Sequence, residues 1–242
     1  GELDQSLADL ARSGGEPEAN PIQIRVLPPV GQSSEIELTH YLAAAIAVFF
    51  SGYTALLGSA SLLRERTAWT LQRMITTPTR PTIILGGKAL ATYLKGLVQI
   101  GVLVGGLAGL EALLDSRASH VPRIDPLGLS LLILAGVGAA TGVGVAVAGC
   151  CRTYTQAANY GAAVLLVMAL AGGIFFPVDQ FPGPMKALSR STFHYWAMGG
   201  YVRLARGGSA IDIGLHLVIL GAMGVVLATV GGWLLRRRIA AA

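Results

Sequence analysis

The sequence predicts an all-α integral membrane protein: a polytopic helical bundle with five transmembrane helices, an amphipathic helix beside it, and a short α/β remnant at the N-terminus. Three observations predict it. Hydrophobic residues make up 53% of the 242 and charged residues 13%, with a mean hydropathy of +0.61, far from the composition of an ordinary soluble domain. Apolar runs of membrane-crossing length recur at about 41–63, 83–110, 126–149, 157–176 and 211–235, each bounded by Pro, charge or a polar cluster. The remaining charge is concentrated between those runs.

Residues 1–40 read as the C-terminal part of a separate domain. Leu3, Leu7 and Leu10 fall at helical spacing in a polar stretch, and a Gly/Pro/Glu break follows. Ile22, Ile24 and Val26 alternate with Gln23 and Arg25 like a short strand, which Pro28-Pro29 stops. Residues 41–242 read as the transmembrane domain. Its first run, Tyr41 to Leu63, is uncharged, and at about 1.5 Å per residue it reaches roughly 35 Å, enough for a hydrocarbon core of about 30 Å.

The first run ends in Arg64-Glu65-Arg66-Thr67-Ala68-Trp69-Thr70-Leu71-Gln72-Arg73. At 100° per residue, Ala68, Leu71 and Ile75 share one face, with Arg66, Thr70 and Arg73 opposite and Glu65, Trp69, Gln72 and Thr76 along a flank. The pattern predicts an amphipathic interfacial helix over 64–78. A helix that only holds lipid headgroups has the same pattern.

The second span carries Lys88 and Lys95 in its first half. Lys88 reaches a nearby interface, whereas Lys95, about two turns further in, needs a cavity, a partner or a longer snorkel. A tilted helix with a long interfacial end and a polar pathway residue are the two accounts of Lys95. Gly101, Gly105 and Gly109 form a stripe in this span, and Gly136, Gly138, Gly142, Gly144 and Gly149 crowd the third. Tight packing within one subunit is the simplest account of either stripe, with a subunit interface or a flexible transport path as alternatives. The adjacent Cys150 and Cys151 read as small residues at a helix end.

After the fourth span, Pro177 and Pro182 break the helical ladder, and 185–206 mixes aromatic with basic residues. The pattern predicts that 177–206 re-enters the interface as one or two short helices carrying Phe193, Tyr195, Trp196 and Tyr201. An aromatic belt anchor is one account. A lid over the outer end of a path, gated by Phe176, Phe181 and Trp196, is the other.

Arg64, Arg66, Arg73, Arg80, Lys88, Arg152 and Arg236 to Arg238 collect at one side with Glu65 alone to oppose them. The positive-inside rule makes that side cytoplasmic, although the basic loop with Lys186, Arg190, Arg203 and Arg206 argues the other way. Five spans with an inner C-terminus leave residues 1–40 extracytoplasmic. They show no secretory signal, so a further span is expected upstream of Gly1.

Nucleic-acid binding is disfavoured, because the net charge of +5 sits at span ends rather than on one face. An enzyme is disfavoured too: His40, His120, His194 and His216 are scattered, and neither H-E-x-x-H nor G-x-S-x-G occurs. Gly86-Gly87-Lys88-Ala89 lacks the glycine spacing and the Ser/Thr of a phosphate-binding loop.

Glu65-Arg66, Trp69-Thr70, Leu71 and Thr77-Pro78, with Gly87-Lys88 opening the next span, resemble the cytoplasmic coupling region of ABC transporter permeases of the type-2 export class. Gly173-Ile174-Phe175-Phe176-Pro177 and Phe181-Pro182 resemble that family's segment before its last span. Trp69 stands where the family commonly has a glycine. The resemblance implies a coupling helix over 64–78, with Glu65, Arg66, Trp69, Thr70, Gln72 and Arg73 meeting a separate cytoplasmic ABC ATPase subunit. It also implies a second permease copy or homologue in a dimer of permeases, ATP held on the partner and no cofactor on this chain, and outward transport across a bacterial plasma membrane. The rival from another class is a secondary transporter or channel without an ATPase partner, in which Lys95 serves an ion or proton. It would normally show intramembrane carboxylates, and the span centres here have none.

Overall fold

Apolar helices of bilayer length are the natural state of such a sequence, because only internal hydrogen bonding satisfies the backbone in hydrocarbon. The computed structural model describes residues 38–67, 81–113, 124–176 and 178–240, which fall within one compact unit, Ile36–Ala242. In chain order these hold α1 (Leu38–Thr67), α2 (Pro81–Leu113), α3 (Pro126–Cys150), α4 (Tyr154–Ala171), a 3-10 turn (Val178–Gln180), α5 (Gly183–Ser189), α6 (Phe193–Ala205) and α7 (Gly214–Ala240). Among the described residues α1, α2, α3, α4 and α7 are long and apolar enough to cross a membrane. The expected strand near 22–26 and most of the expected helix over 64–78 lie outside the described residues.

Capping chemistry sets the helix ends and corrects three expected boundaries. Asp125 caps α3, accepting from the Leu127 N–H at 3.1 Å, with Pro126 at the first helical position where its missing N–H costs nothing. Thr153 caps α4 through the Gln156 N–H at 3.2 Å, so the fourth span begins at Tyr154 rather than 157. It ends at Ala171 rather than 176: Gly173 takes φ +85°, and the Ile174 N–H bonds back to the Ala169 carbonyl at 3.2 Å, a left-handed termination that glycine adopts without strain. The last span was expected from 211. Asp212 instead accepts from the Ser209 N–H at 2.7 Å and hydroxyl at 2.9 Å, which closes a turn and delays α7 to Gly214.

α3 is the centre of the bundle: 56% of its apolar window is buried, against 17% for α2 and for α7. Its glycines explain how. A Cβ on Gly142 would lie 2.5 Å from the Gly224 carbonyl oxygen, one on Gly149 2.7 Å from that of Gly231, and one on Gly144 2.4 Å from that of Ala55. α7 and α1 therefore run parallel to α3 with backbones in contact, the close approach that small residues permit in lipid. α1 meets α4 antiparallel, Gly52 against Leu165 and Gly161 against Leu56, and meets α2 antiparallel at Gly58 and Thr92.

The stripe of the second span behaves differently. At Gly101, Gly105 and Gly109 an added Cβ would meet nothing within 4 Å, which corrects the expectation of tight packing within one subunit. This face of α2 has no packing partner among the described residues. The segment expected to re-enter the interface holds two short helices, α5 and α6. Phe193 and Leu204 of α6 are fully buried in the same cluster as Leu132, Leu165, Ile213 and Leu220, so α6 is wedged into one end of the bundle.

Candidate functional sites at the two ends of the bundle

One end gathers Arg64, Glu65, Lys88, Arg152, Arg236 and Arg237. The Lys88 ammonium donates to Glu65 Oε1 in an ion pair that closes the end of α1 on the start of α2. The Arg64 guanidinium lies 5.9 Å from the Tyr154 ring centroid and that of Arg237 stacks 3.7 Å over Trp233, contacts suited to a basic surface at the headgroup level. The pair has a topological consequence: α1 ends at Thr67 and α2 starts at Pro81, so the connection 68–80 leaves and returns at this basic end. Of the predicted coupling residues, Glu65 is in the last turn of α1. Arg66 has its backbone described but not its side chain, and Trp69, Thr70, Gln72 and Arg73 lie outside the described residues.

Lys95 stands roughly 10 Å along α2 from Lys88, at about 1.5 Å per residue. It is exposed between the equally exposed Leu94 and Val98, with no hydrogen bond or ion pair among the described residues. It does not line the cavity that α1, α2, α3 and α6 leave among them.

The opposite end is built by α5, α6 and the loop before α7. The second carboxylate oxygen of Asp125 accepts from the Ala210 N–H at 2.8 Å, tying the start of α3 to that loop. Hydrogen bonds from Ser209, assisted by the Arg203 charge, hold the Asp212 carboxyl below the usual carboxylate range. The Tyr41 hydroxyl donates to the Gly173 carbonyl and fastens the start of α1 to the turn after α4. Of the predicted gate residues, Phe176 is exposed and Phe181 half-buried, and neither makes a ring contact among the described residues. Trp196 is half-buried, its indole N–H donating to the Arg190 carbonyl at 2.8 Å, its ring 5.5 Å from that of His216. The three are not brought together.

Two features had little sequence signal. His194 is fully buried, neither ring nitrogen has a hydrogen-bond partner among the described residues, and burial pushes the imidazole down to about 3. A lone histidine among aromatics announces none of this. Thr54 donates to the Gln99 side-chain carbonyl between α1 and α2; an amide in an apolar run was the one available hint. Among the described residues no three or more His, Cys, Asp or Glu side chains are grouped as a metal site.

The profile described as ABC-2 family transporter protein matches residues 4–233. The chain belongs to that family. The expected resemblance to a type-2 permease therefore stands, and this ABC-2 permease is a multi-pass membrane protein of that family. It is 24% identical over 197 residues to the linearmycin resistance permease protein LnrN of Bacillus subtilis (strain 168). That match covers 81% of the chain and 48% of the relative, so the chain spans about half the length of the relative.

Proposed function

We propose that this ABC-2 permease is the membrane-spanning subunit of an ATP-driven exporter, forming its translocation path and docking a separate ATPase through residues 64–78. The observation that carries the reading is the Glu65–Lys88 pair. It brings the end of α1 and the start of α2 together at the basic end, which supports reading the connection between them as the coupling segment on the side that the positive-inside rule makes cytoplasmic. ATP is held by the partner, and Trp69 and Arg73 are the anchors, being the residue types in which docking energy concentrates. A second permease copy or homologue completes the path, and the membrane is the bacterial plasma membrane. The relative is named for resistance, a role that outward movement of a hydrophobic or amphipathic compound serves.

Trp69→Ala and Arg73→Ala, expressed beside the cognate ATPase, are expected to lose co-purification and substrate-stimulated ATP hydrolysis, each at a cost of about 1 to 3 kcal/mol in docking. Wild-type values of both quantities in both variants would remove the coupling assignment.

A further inference from the structure

Away from the basic end, α1, α2, α3 and α6 leave a half-open cavity of about 80 Å³ among them. Val48 and Ser51 line it from α1, Ile100 from α2, Gly136 and Val137 from α3, and Ala197 from α6. Its depth follows from the helices. Ser51, Ile100 and Gly136 lie roughly 21, 18 and 21 Å along their helices from Glu65, Lys88 and Cys150, at about 1.5 Å per residue. In a hydrocarbon core of about 30 Å, that is the leaflet away from the basic end.

We propose that this crevice binds the end of one unbranched hydrocarbon chain, entering sideways from that leaflet. Ser51 and Tyr201 bring the polar side-chain atoms of the lining, and the Ser51 hydroxyl donates to the Val48 carbonyl of its own helix at 2.8 Å. A lining with so little hydrogen bonding to offer recognises no headgroup, sugar or peptide, since each would lose its bonds to water without replacement. The volume narrows the class further. It is about half that of the ~150 Å³ apolar cavity known to hold a benzene ring, a space suited to a slender chain end.

Gly136 keeps the space open. A Cβ there would meet nothing within 4 Å, whereas at Gly142 and Gly144 it would strike backbone. Helix packing therefore explains the glycines nearer the basic end and not this one. An empty apolar void forfeits dispersion contacts along its walls, and a hydrocarbon chain drawn from the surrounding leaflet restores them.

This inference goes beyond the exporter reading and requires no ATPase, so it is tested without nucleotide. The full-length protein, in membranes of the cells that express it, is loaded in one arm with a phosphatidylcholine carrying a diazirine at the terminal carbon of one acyl chain. In the other arm it is loaded with a free fatty acid carrying the same group. Irradiation and peptide mapping are expected to place label on Ser51 or Val137, which are 2% and 1% exposed. Label from the phospholipid identifies a bilayer acyl chain as the occupant; label from the free acid alone identifies a single-chain amphiphile. In Gly136→Leu the crevice label is expected to be lost, while label on the exposed Val225 and Val226 of α7 persists and shows the protein folded in the membrane. Crevice label that survives in Gly136→Leu overturns the proposal. So does a wild-type map confined to outward-facing residues such as Ile46 and Phe50, and that map decides alone where the variant does not accumulate.

Discussion

Replacing Gly144 with alanine tests whether backbone contact between α1 and α3 holds the bundle together. The new Cβ would lie 2.4 Å from the Ala55 carbonyl oxygen, 2.7 Å from its carbon and 2.9 Å from Ser59 Oγ. Two of those atoms are helix backbone and cannot rotate away. Relief requires α1 and α3 to part by roughly 1 Å, a displacement shared by every contact along their interface, and overpacking of this kind costs about 1–3 kcal/mol. Gly136→Ala is the matched control, since it lies on the same helix and its Cβ meets nothing within 4 Å. Both substitutions gain the same ~0.5–1 kcal/mol of helix propensity, so the difference between them isolates the clash. Reversible unfolding in mixed micelles should find Gly136→Ala at or above wild-type stability and Gly144→Ala about 1–3 kcal/mol below that control. Equal midpoints would show that the two helices are not in backbone contact, and the packing scheme built on α3 would fall with them.

His194 predicts an acid-sensitive stability. Its folded-state value near 3 lies below the ordinary 6.5, so between those pH values the unfolded chain binds more protons. Stability is then full above about pH 6.5 and declines as pH falls, by about 2 kcal/mol at pH 5; unfolding at pH 7.5 and pH 5 should show that part of the decline missing in His194→Phe. Gly173→Ala combines a φ of +85° with a Cβ 2.5 Å from Val178 Cγ2, so a loss of about 1–2 kcal/mol is expected from the backbone conformation alone; wild-type thermal stability would show that the turn after α4 is not held in this form. For the lid role of 177–206, Phe181→Ala and Trp196→Ala should lower efflux per assembled complex while leaving ATPase co-purification intact, and lost assembly with normal efflux per complex would exclude that role.

Much of the fold was legible because the bilayer imposes local demands. Length, apolarity and the absence of mid-span carboxylates are properties of each run by itself, and α3 was found at its true start because Asp125-Pro126 caps and opens a helix wherever it stands. The errors at α4 and α7 arose where a side chain or glycine a few residues away terminates the ladder: Gly173 stops one span early, and the Asp212 turn starts the other late. Ser, Thr, Asp and Gly carry such signals in sequence, but which of them closes a turn depends on the backbone around it.

What sequence alone determined, then, is that five helices are long and apolar enough to cross a membrane, with basic residues gathered between them and an aromatic segment of short helices before the last. Tertiary structure decided which faces meet. Gly101, Gly105 and Gly109 look like a packing stripe as much as Gly142, Gly144 and Gly149 do, yet only the latter three carry neighbouring backbones. The partner of Lys88 and the crevice beside Gly136 are equally invisible in the linear chain. The physical reason is that a leucine against lipid and a leucine against another helix have nearly the same hydrophobic environment. Hydropathy places a helix in the bilayer, and only the fit of one surface to another says which neighbour it touches.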